Sequence, residues 1–284
     1  MALISVDELA ERLAMDDPFL RVVDVRWYLN RPGAGRAAYD EGHLPTAIFL
    51  DLDADLADPE GLGAPGRHPL PAPAEFARNL AARGIGSQHQ VVAYDDSSGT
   101  VAARLWWMLD SLGHRAGAAL LDGGSQAWVA AGHPLSRAEP RWPPAQLELA
   151  DRWTNVVERE QVAAAAGTLT VLDARAPERY RGEVEPIDPQ AGHIPGALSV
   201  PAAGNLAADG RLLPVDALRD RFAPIVESGK PVVVSCGSGA VACHNALAMR
   251  LAGLPDPLLY AGSFSDWSRS GLPVVAGSEP GDPA

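Results

Sequence analysis

The sequence predicts an α/β fold built twice: two consecutive domains, each a mainly parallel sheet flanked by helices. The first observation behind this is a repeat that keeps its order along the 284-residue chain. "RVVDVRW" (21–27) resembles "TVLDARA" (170–176), "YDEGHLPTA" (39–47) resembles "PQAGHIPGA" (189–197), and "LLDGGSQAWVAAGHPL" (120–135) resembles "LLYAGSFSDWSRSGLPV" (258–274). The second is that "VVAY" (91–94) and "VVVS" (232–235) read as strands covered by helices on both faces. The third is helical periodicity alternating with such runs. "SVDELAERLA" opens on a Ser or Asp cap and puts Val6, Leu9 and Leu13 on one face.

Within each copy the order is a helix, a short apolar strand ending in Asp, a loop with Gly-His-x-Pro, a helix, a strand, a Gly-containing turn, a helix and a last short strand. A sheet of this kind offers its ligand site at the carboxyl ends of its strands. The first domain is expected over 1–137 and the second over 152–277, joined by 138–151, where "AEPRWPPAQLELA" lacks an amphipathic period and reads as a semi-rigid linker. Residues 278–284 have nothing to bury and are expected to form a flexible tail. The copies differ in one connection. His43 and His193 stand 150 residues apart but Asp95 and Cys236 only 141, so the second copy is shorter between these points.

A net charge of −13 and a pI near 4.9 repel nucleic acid and anionic membranes. Lys230 is the only lysine beside 22 arginines, so an anion site must use arginine or backbone amides. No leader-like start or long apolar run is present, which makes a cytoplasmic location the expectation. Two cysteines cannot staple a chain of this size, and their spacing matches no metal pattern, so neither a disulfide framework nor a metal is expected.

Cys236 follows the strand "PVVVS" directly and precedes the turn "GSGAVA" and a helix. Backbone N–H groups and the positive end of a helix dipole meet there, so a thiolate should be stabilised and nucleophilic. Gly237 and Gly239 supply dihedrals that let successive amides converge on one sulfur. The counterpart of Cys243 in the first copy is Ala103, which favours a packing role for Cys243.

These ordered motifs, "GHIPGA", D-x-R, the strand-to-Cys loop and "GSxxxW", resemble the tandem-domain rhodanese sulfurtransferases over nearly the whole chain. The resemblance implies a catalytically silent first domain and a second whose Cys accepts sulfur as a persulfide. Cys236 would be that residue, since its counterpart Asp95 cannot carry sulfur. The amides of Gly237, Ser238, Gly239, Ala240, Val241 and Ala242 would cradle the terminal sulfur. A small donor would yield its sulfur to Cys236, and a thiol, from a thioredoxin-like protein among others, or cyanide would accept it. Neither metal nor organic cofactor is implied, and with both copies in one chain a monomer is expected.

The uncharged loop "CGSGAV" resembles the 3-mercaptopyruvate type more than the thiosulfate type. Ser238 reads either as a proton-transfer group or as a turn residue. Arg181 in "YRG" matches the family's first donor-binding arginine, while Ile187 stands where a second often occurs, with Arg179 as a substitute. His43 reads as a donor-binding group or, because His193 repeats its motif, as part of a turn. The pairs Asp24/Arg26 and Asp173/Arg175 read as strand-end ion pairs, and Trp128 and Trp267 as packing residues. The alternatives are thiosulfate sulfurtransferase and a non-enzymatic persulfide carrier or docking protein. A phosphatase of related fold is disfavoured because the loop lacks a phosphate-clamping arginine.

Overall fold

The computed structural model describes residues 2–61, 66–165 and 167–282. The chain divides into two compact units: unit 1 comprises Met1–Pro59, Pro71–Thr154 and Ala207–Leu212, and unit 2 comprises Glu60–Leu70, Asn155–Leu206 and Leu213–Ala284. A simple division at the linker therefore misses two segments. Glu60–Leu70, from the first copy, packs in unit 2, and Ala207–Leu212, from the second, packs in unit 1.

Unit 1 runs through β1 (Leu3–Ile4), α1 (Val6–Ala14), β2 (Leu20–Asp24), α2 (Ala34–Glu41), β3 (Ile48–Phe49), α3 (Pro73–Ala82), β4 (Gln90–Tyr94), α4 (Ala102–Ser111), β5 (Ala118–Leu121) and α5 (Gly124–Ala130). Its strands form a fully parallel sheet in the order β1-β5-β4-β2-β3. Helix α1 begins where Ser5 accepts a 3.2 Å hydrogen bond from the Glu8 amide, satisfying one of the unpaired first-turn donors. Val6 and Leu9 are buried and Leu13 packs on the same core, as their spacing requires.

Unit 2 runs through α6 (Arg159–Ala164), β6 (Thr170–Asp173), α7 (Pro177–Tyr180), β7 (Leu198–Ser199), a 3-10 turn (Ala202–Asn205), α8 (Val215–Val226), β8 (Val232–Ser235), α9 (Ala242–Leu251), β9 (Leu258–Leu259) and α10 (Ser263–Trp267). Its parallel sheet has the order β7-β6-β8-β9. Strands β4 and β8 are interior to their sheets, and Val91–Tyr94 and Val232–Ser235 are wholly buried. Each delivers the next residue, Asp95 or Cys236, to the carboxyl end of its sheet.

The repeated motifs form one brace per unit. Arg26 Nη2 donates to Asp24 at 2.6 Å and to the Gly42 carbonyl at 2.8 Å. Arg175 Nη2 does the same toward Asp173 at 2.7 Å and Gly192 at 2.6 Å. D-x-R thus anchors the Gly-His turn to the strand end, and each buried charge keeps its partner. Trp128 and Trp267 are core residues of their own units, donating to the carbonyls of Pro134 and Pro273.

Two local expectations change. The chain over 138–151 is extended but fastened to unit 1, through Ala145 to Ala81, Ser87 to Gln146 and Ala150 to Leu112. Nor is the end of the chain free: the Pro280 carbonyl accepts from Gly196 at 2.7 Å, and the Glu279 carbonyl lies 3.1 Å from His193 Nε2. Backbone carbonyls rather than apolar side chains hold it. Residues 283 and 284 lie outside the described residues. Among the described residues no helix is long and apolar enough to cross a membrane.

Candidate active site

The loop after β8 is clamped to the start of α10. The Cys236 amide donates to Ser263 Oγ at 3.1 Å, Phe264 N donates to the Cys236 carbonyl at 3.0 Å, and Ser265 N donates to the Gly237 carbonyl at 2.9 Å. Ser263 holds φ at +52°, an uncommon conformation for a residue with a side chain, which its hydroxyl supports by also donating to Tyr260 at 2.8 Å. Gly239 has φ of +79°, and a Cβ there would lie 2.4 Å from the Ala261 carbonyl oxygen. Only glycine fits both conditions.

Cys236 is buried at 2% exposure, and its Sγ accepts a hydrogen bond from Gly239 N at 3.1 Å. Among the described residues, the amides of Gly237, Ser238, Ala240, Val241 and Ala242 donate to no protein group. Such a run of open donors at the start of α9 suits an anion. Cys243 is the second residue of α9, fully buried, with its thiol donating to the Gly239 carbonyl at 3.3 Å. Its hydrogen bond braces the loop from below, in agreement with the packing role expected.

Ser238 Oγ lies 2.7 Å from His68 Nδ1, and both residues are buried. Beside them, a Cβ on residue 237 would stand 2.8 Å from Arg67 Nη2 and 3.4 Å from Arg179 Nη1. Arg67 Nη1 donates to Asp188, Arg179 Nη2 donates to Glu185 at 2.7 and 2.9 Å, and Arg269 Nη1 reaches Asp188 at 3.4 Å. Three guanidiniums thus share two carboxylates, leaving a formal excess of positive charge next to Gly237.

Burial lowers the Arg67 pKa against the pull of Asp188, and burial raises that of Asp188 against Arg67, Arg179 and Arg269. Burial also pushes Glu185 up, but its hydrogen bonds from Arg179 and from the Ile187 and Asp188 amides outweigh this and hold it below the usual range. Arg175, its charge already matched by Asp173, reaches Glu185 at 3.4 Å while stacking on Phe264 at 3.9 Å.

Two residues singled out from the sequence lie elsewhere. Arg181 pairs with Glu183 at 2.7 Å on the surface, whereas Arg179 points into the cluster. Tyr180 between them is buried and donates to the Ala197 carbonyl. At roughly 100° per residue on the single turn of α7, positions 179 and 181 face opposite ways. Of the two, Arg179 is the one beside Gly237. His43 sits with Nδ1 2.9 Å from the Tyr39 carbonyl, Nε2 3.2 Å from that of Ala138, and its ring stacked on Tyr39. His193 repeats this arrangement on Tyr180 and Glu279. The imidazole is spent on the turn, so the structural alternative fits His43.

Arg67, His68, Asp188 and Arg269 are cluster members that the sequence reading missed. A clue was available for the first two. The nine extra residues between His43 and Asp95 in the first copy fall where Glu60–Leu70 leaves to pack in unit 2. Among the described residues no group of side chains is arranged to hold a metal ion.

The rhodanese-like domain family matches twice, over residues 5–131 and 158–270. The chain is 47% identical over 270 residues to the probable 3-mercaptopyruvate sulfurtransferase of Pseudomonas aeruginosa, covering 93% of this chain and 94% of that protein. It is 34% identical over 288 residues to the thiosulfate sulfurtransferase of Rattus norvegicus, covering 98% and 95%. The crystal structure of the 3-mercaptopyruvate sulfotransferase SseA from Escherichia coli superposes with a TM-score of 0.79 at 32% identity, covering 92% of this chain and 98% of that one. Matched twice by the domain and end to end by its full-length enzymes, the chain belongs to the rhodanese family as a tandem-domain sulfurtransferase.

Proposed function

We propose that Cys236 carries the sulfur as a persulfide and that 3-mercaptopyruvate is the preferred donor. One observation carries the reading: the amides of Ser238, Ala240 and Ala242 stand open around Cys236, whereas their counterparts in unit 1 all donate to the Asp95 carboxylate at 2.8 Å. A persulfide's terminal sulfur brings to unit 2 the negative charge that these donors lack, with the logic of an oxyanion hole.

The Cys236 thiolate attacks the donor sulfur, an S–S bond forms, and the donor's C–S bond breaks with its electrons leaving as the pyruvate enolate. The proton of the donor thiol ends on the carbon that becomes the methyl group of pyruvate. The Ser238/His68 pair, 2.7 Å apart, is suited to carry it. An acceptor thiolate then attacks the outer sulfur and regenerates the Cys236 thiolate. Cyanide takes the sulfur by the same attack.

The loop "CGSGAV" has no cationic side chain of its own, which supports the thiol donor over thiosulfate. A thioredoxin-like protein thiol in the cytoplasm is a fitting acceptor, since both cysteines of the chain are free. Both copies in one chain support action as a monomer. Incubation with 3-mercaptopyruvate is expected to add about 32 Da to the intact protein, one sulfur atom. Cys236→Ser abolishes the adduct and Cys243→Ser retains it. Equal labelling of both cysteines, or a kcat/KM for thiosulfate above that for 3-mercaptopyruvate, overturns this reading.

A further inference from the structure

We propose that Ser263 is a positioning residue for sulfur transfer, its hydroxyl fixing the backbone of Cys236 so that the thiol meets the open amides of its loop before any sulfur has arrived. The proposal rests on the persulfide reading above and concerns how the empty cradle keeps its shape.

An empty cradle cannot be shaped from within as a filled one is. Around Asp95 four amides converge on a carboxylate that is always present, and those bonds hold the loop. The Cys236 sulfur receives one such bond, from Gly239 N at 3.1 Å, so donors waiting for an anion have to be set in place from behind. Ser263 supplies that hold. It is fully buried, its hydroxyl donates to the Tyr260 carbonyl at 2.8 Å, and its oxygen accepts the Cys236 amide at 3.1 Å. A peptide unit is planar, with its N–H and C=O pointing opposite ways. The Ser235–Cys236 unit is thus fixed at both ends, by Ser263 on the N–H and by Ala174 N on the Ser235 carbonyl at 2.8 Å, and the next unit is fixed by Phe264 N. With the planes on both sides of its Cα set, the Cα–Cβ bond of Cys236 has one direction to take.

The backbone at 263 shows that the hydroxyl is retained against a cost. Ser263 has φ of +52°, and the matching position in unit 1, just before the Ser125 amide that meets the Asp95 carbonyl, is Gly124 at +60°. Glycine adopts this conformation freely, whereas a residue with a side chain is strained there. A Cβ at 124 would lie 2.4 Å from the Asp95 carbonyl oxygen, so the copy without the cysteine has neither room for a side chain at this point nor a hydroxyl for the Asp95 amide. Strain beside the reacting group, absent from the copy that lacks that group, points from the backbone to function. The turn carrying Ser263 is tied down as well. Asp266 accepts from the Tyr260 hydroxyl and from Arg159 Nη1, each at 2.7 Å, where unit 1 has Asp122 and Ala127 in the places of Tyr260 and Asp266.

The test compares Ser263→Gly and Ser263→Ala in the full chain, reading the denaturant midpoint, kcat and KM with 3-mercaptopyruvate, and the rate at which the intact protein gains one sulfur. Both variants lose the hydroxyl, but only alanine keeps the strain. Both are therefore expected to lose about 10- to 100-fold in kcat, the scale of a misplaced reacting group, with KM within about threefold of wild type. Stability is expected to divide them, with the midpoint of Ser263→Gly close to wild type and that of Ser263→Ala below it. Activity that follows stability instead, with Ser263→Gly as fast as wild type, overturns the proposal, and so does a loss confined to KM. If Ser263→Ala does not fold, Ser263→Gly decides: a reduced kcat upholds the proposal and an unchanged one overturns it. Wild-type protein that gains no sulfur at Cys236 fails the persulfide reading itself, and the positioning role with it.

Discussion

In unit 1 the loop after β4 closes around a carboxylate, while in unit 2 the matching loop closes around a thiol and leaves its amides open. Asp95 accepts from Ser97 and Gly99 on one oxygen and from Val101 and Ala102 on the other, at 2.8 to 2.9 Å. The clamp behind the loop is also shared, with Ser125 N on the Asp95 carbonyl at 2.9 Å and Phe264 N on that of Cys236 at 3.0 Å. The difference teaches that unit 1 has lost no architecture. Its loop amides are filled by its own side chain, whereas on the proposed reading unit 2 takes its anion from a substrate.

Moving the occupant from one unit to the other breaks the comparison most directly. Cys236→Asp is expected to reduce sulfur transfer to background, a loss of at least about 10³-fold, since no nucleophile remains. The same variant gains about 1–3 kcal/mol in denaturant unfolding at pH 7, the worth of new hydrogen bonds to a charged group. A destabilised Cys236→Asp protein contradicts the equivalence of the two cradles.

Emptying the filled site has a smaller effect of opposite kind. Asp95→Ala leaves four amides, three of them buried, without their acceptor, and a loss of about 3 kcal/mol is expected in denaturant unfolding. Loading of Cys236 with sulfur persists in that variant. Unchanged stability of Asp95→Ala would show that the carboxylate fills space without serving the amides.

The smallest effect concerns the opposite end of the unit 1 sheet. His89 accepts from Gly86 N at Nδ1 (2.8 Å) and faces Arg21 Nη2 at Nε2 (3.0 Å), and His114 Nε2 lies 2.8 Å from the His89 carbonyl. Burial first, then Arg21, lowers the His89 pKa from the ordinary 6.5, and burial lowers that of His114. Depressed pKa values mean that the unfolded chain binds protons first. Their contribution to stability is present above about pH 6.5 and is lost as pH falls toward the folded values. Denaturant midpoints measured between pH 7.5 and 5 should fall, and His114→Gln should flatten that slope. An unchanged slope assigns the acid sensitivity to other groups.

Much of the site was legible because it is local. The strand "VVVS", the residue after it and the glycines of the turn lie within eight positions, and comparison with "VVAYD" marks Cys236 as the position that changed. The arginines were harder to read. On a single helical turn, neighbouring arginines differ only in which way they face: the family resemblance pointed to Arg181, and Arg179 is the one that lies beside Gly237. Ile187 suggested a missing cation, and the structure supplies one from 120 residues earlier, Arg67. No periodicity signals such a contribution. Its trace in the sequence is a difference in length, the extra residues between His43 and Asp95.

That excursion of Glu60–Leu70 changes what the duplication means. A gene cut at the 138–151 segment would not release a self-sufficient catalytic half, since Arg67 and His68 would remain on the other fragment. On the proposed reading, the copy without the nucleophile takes part in the chemistry through those two residues.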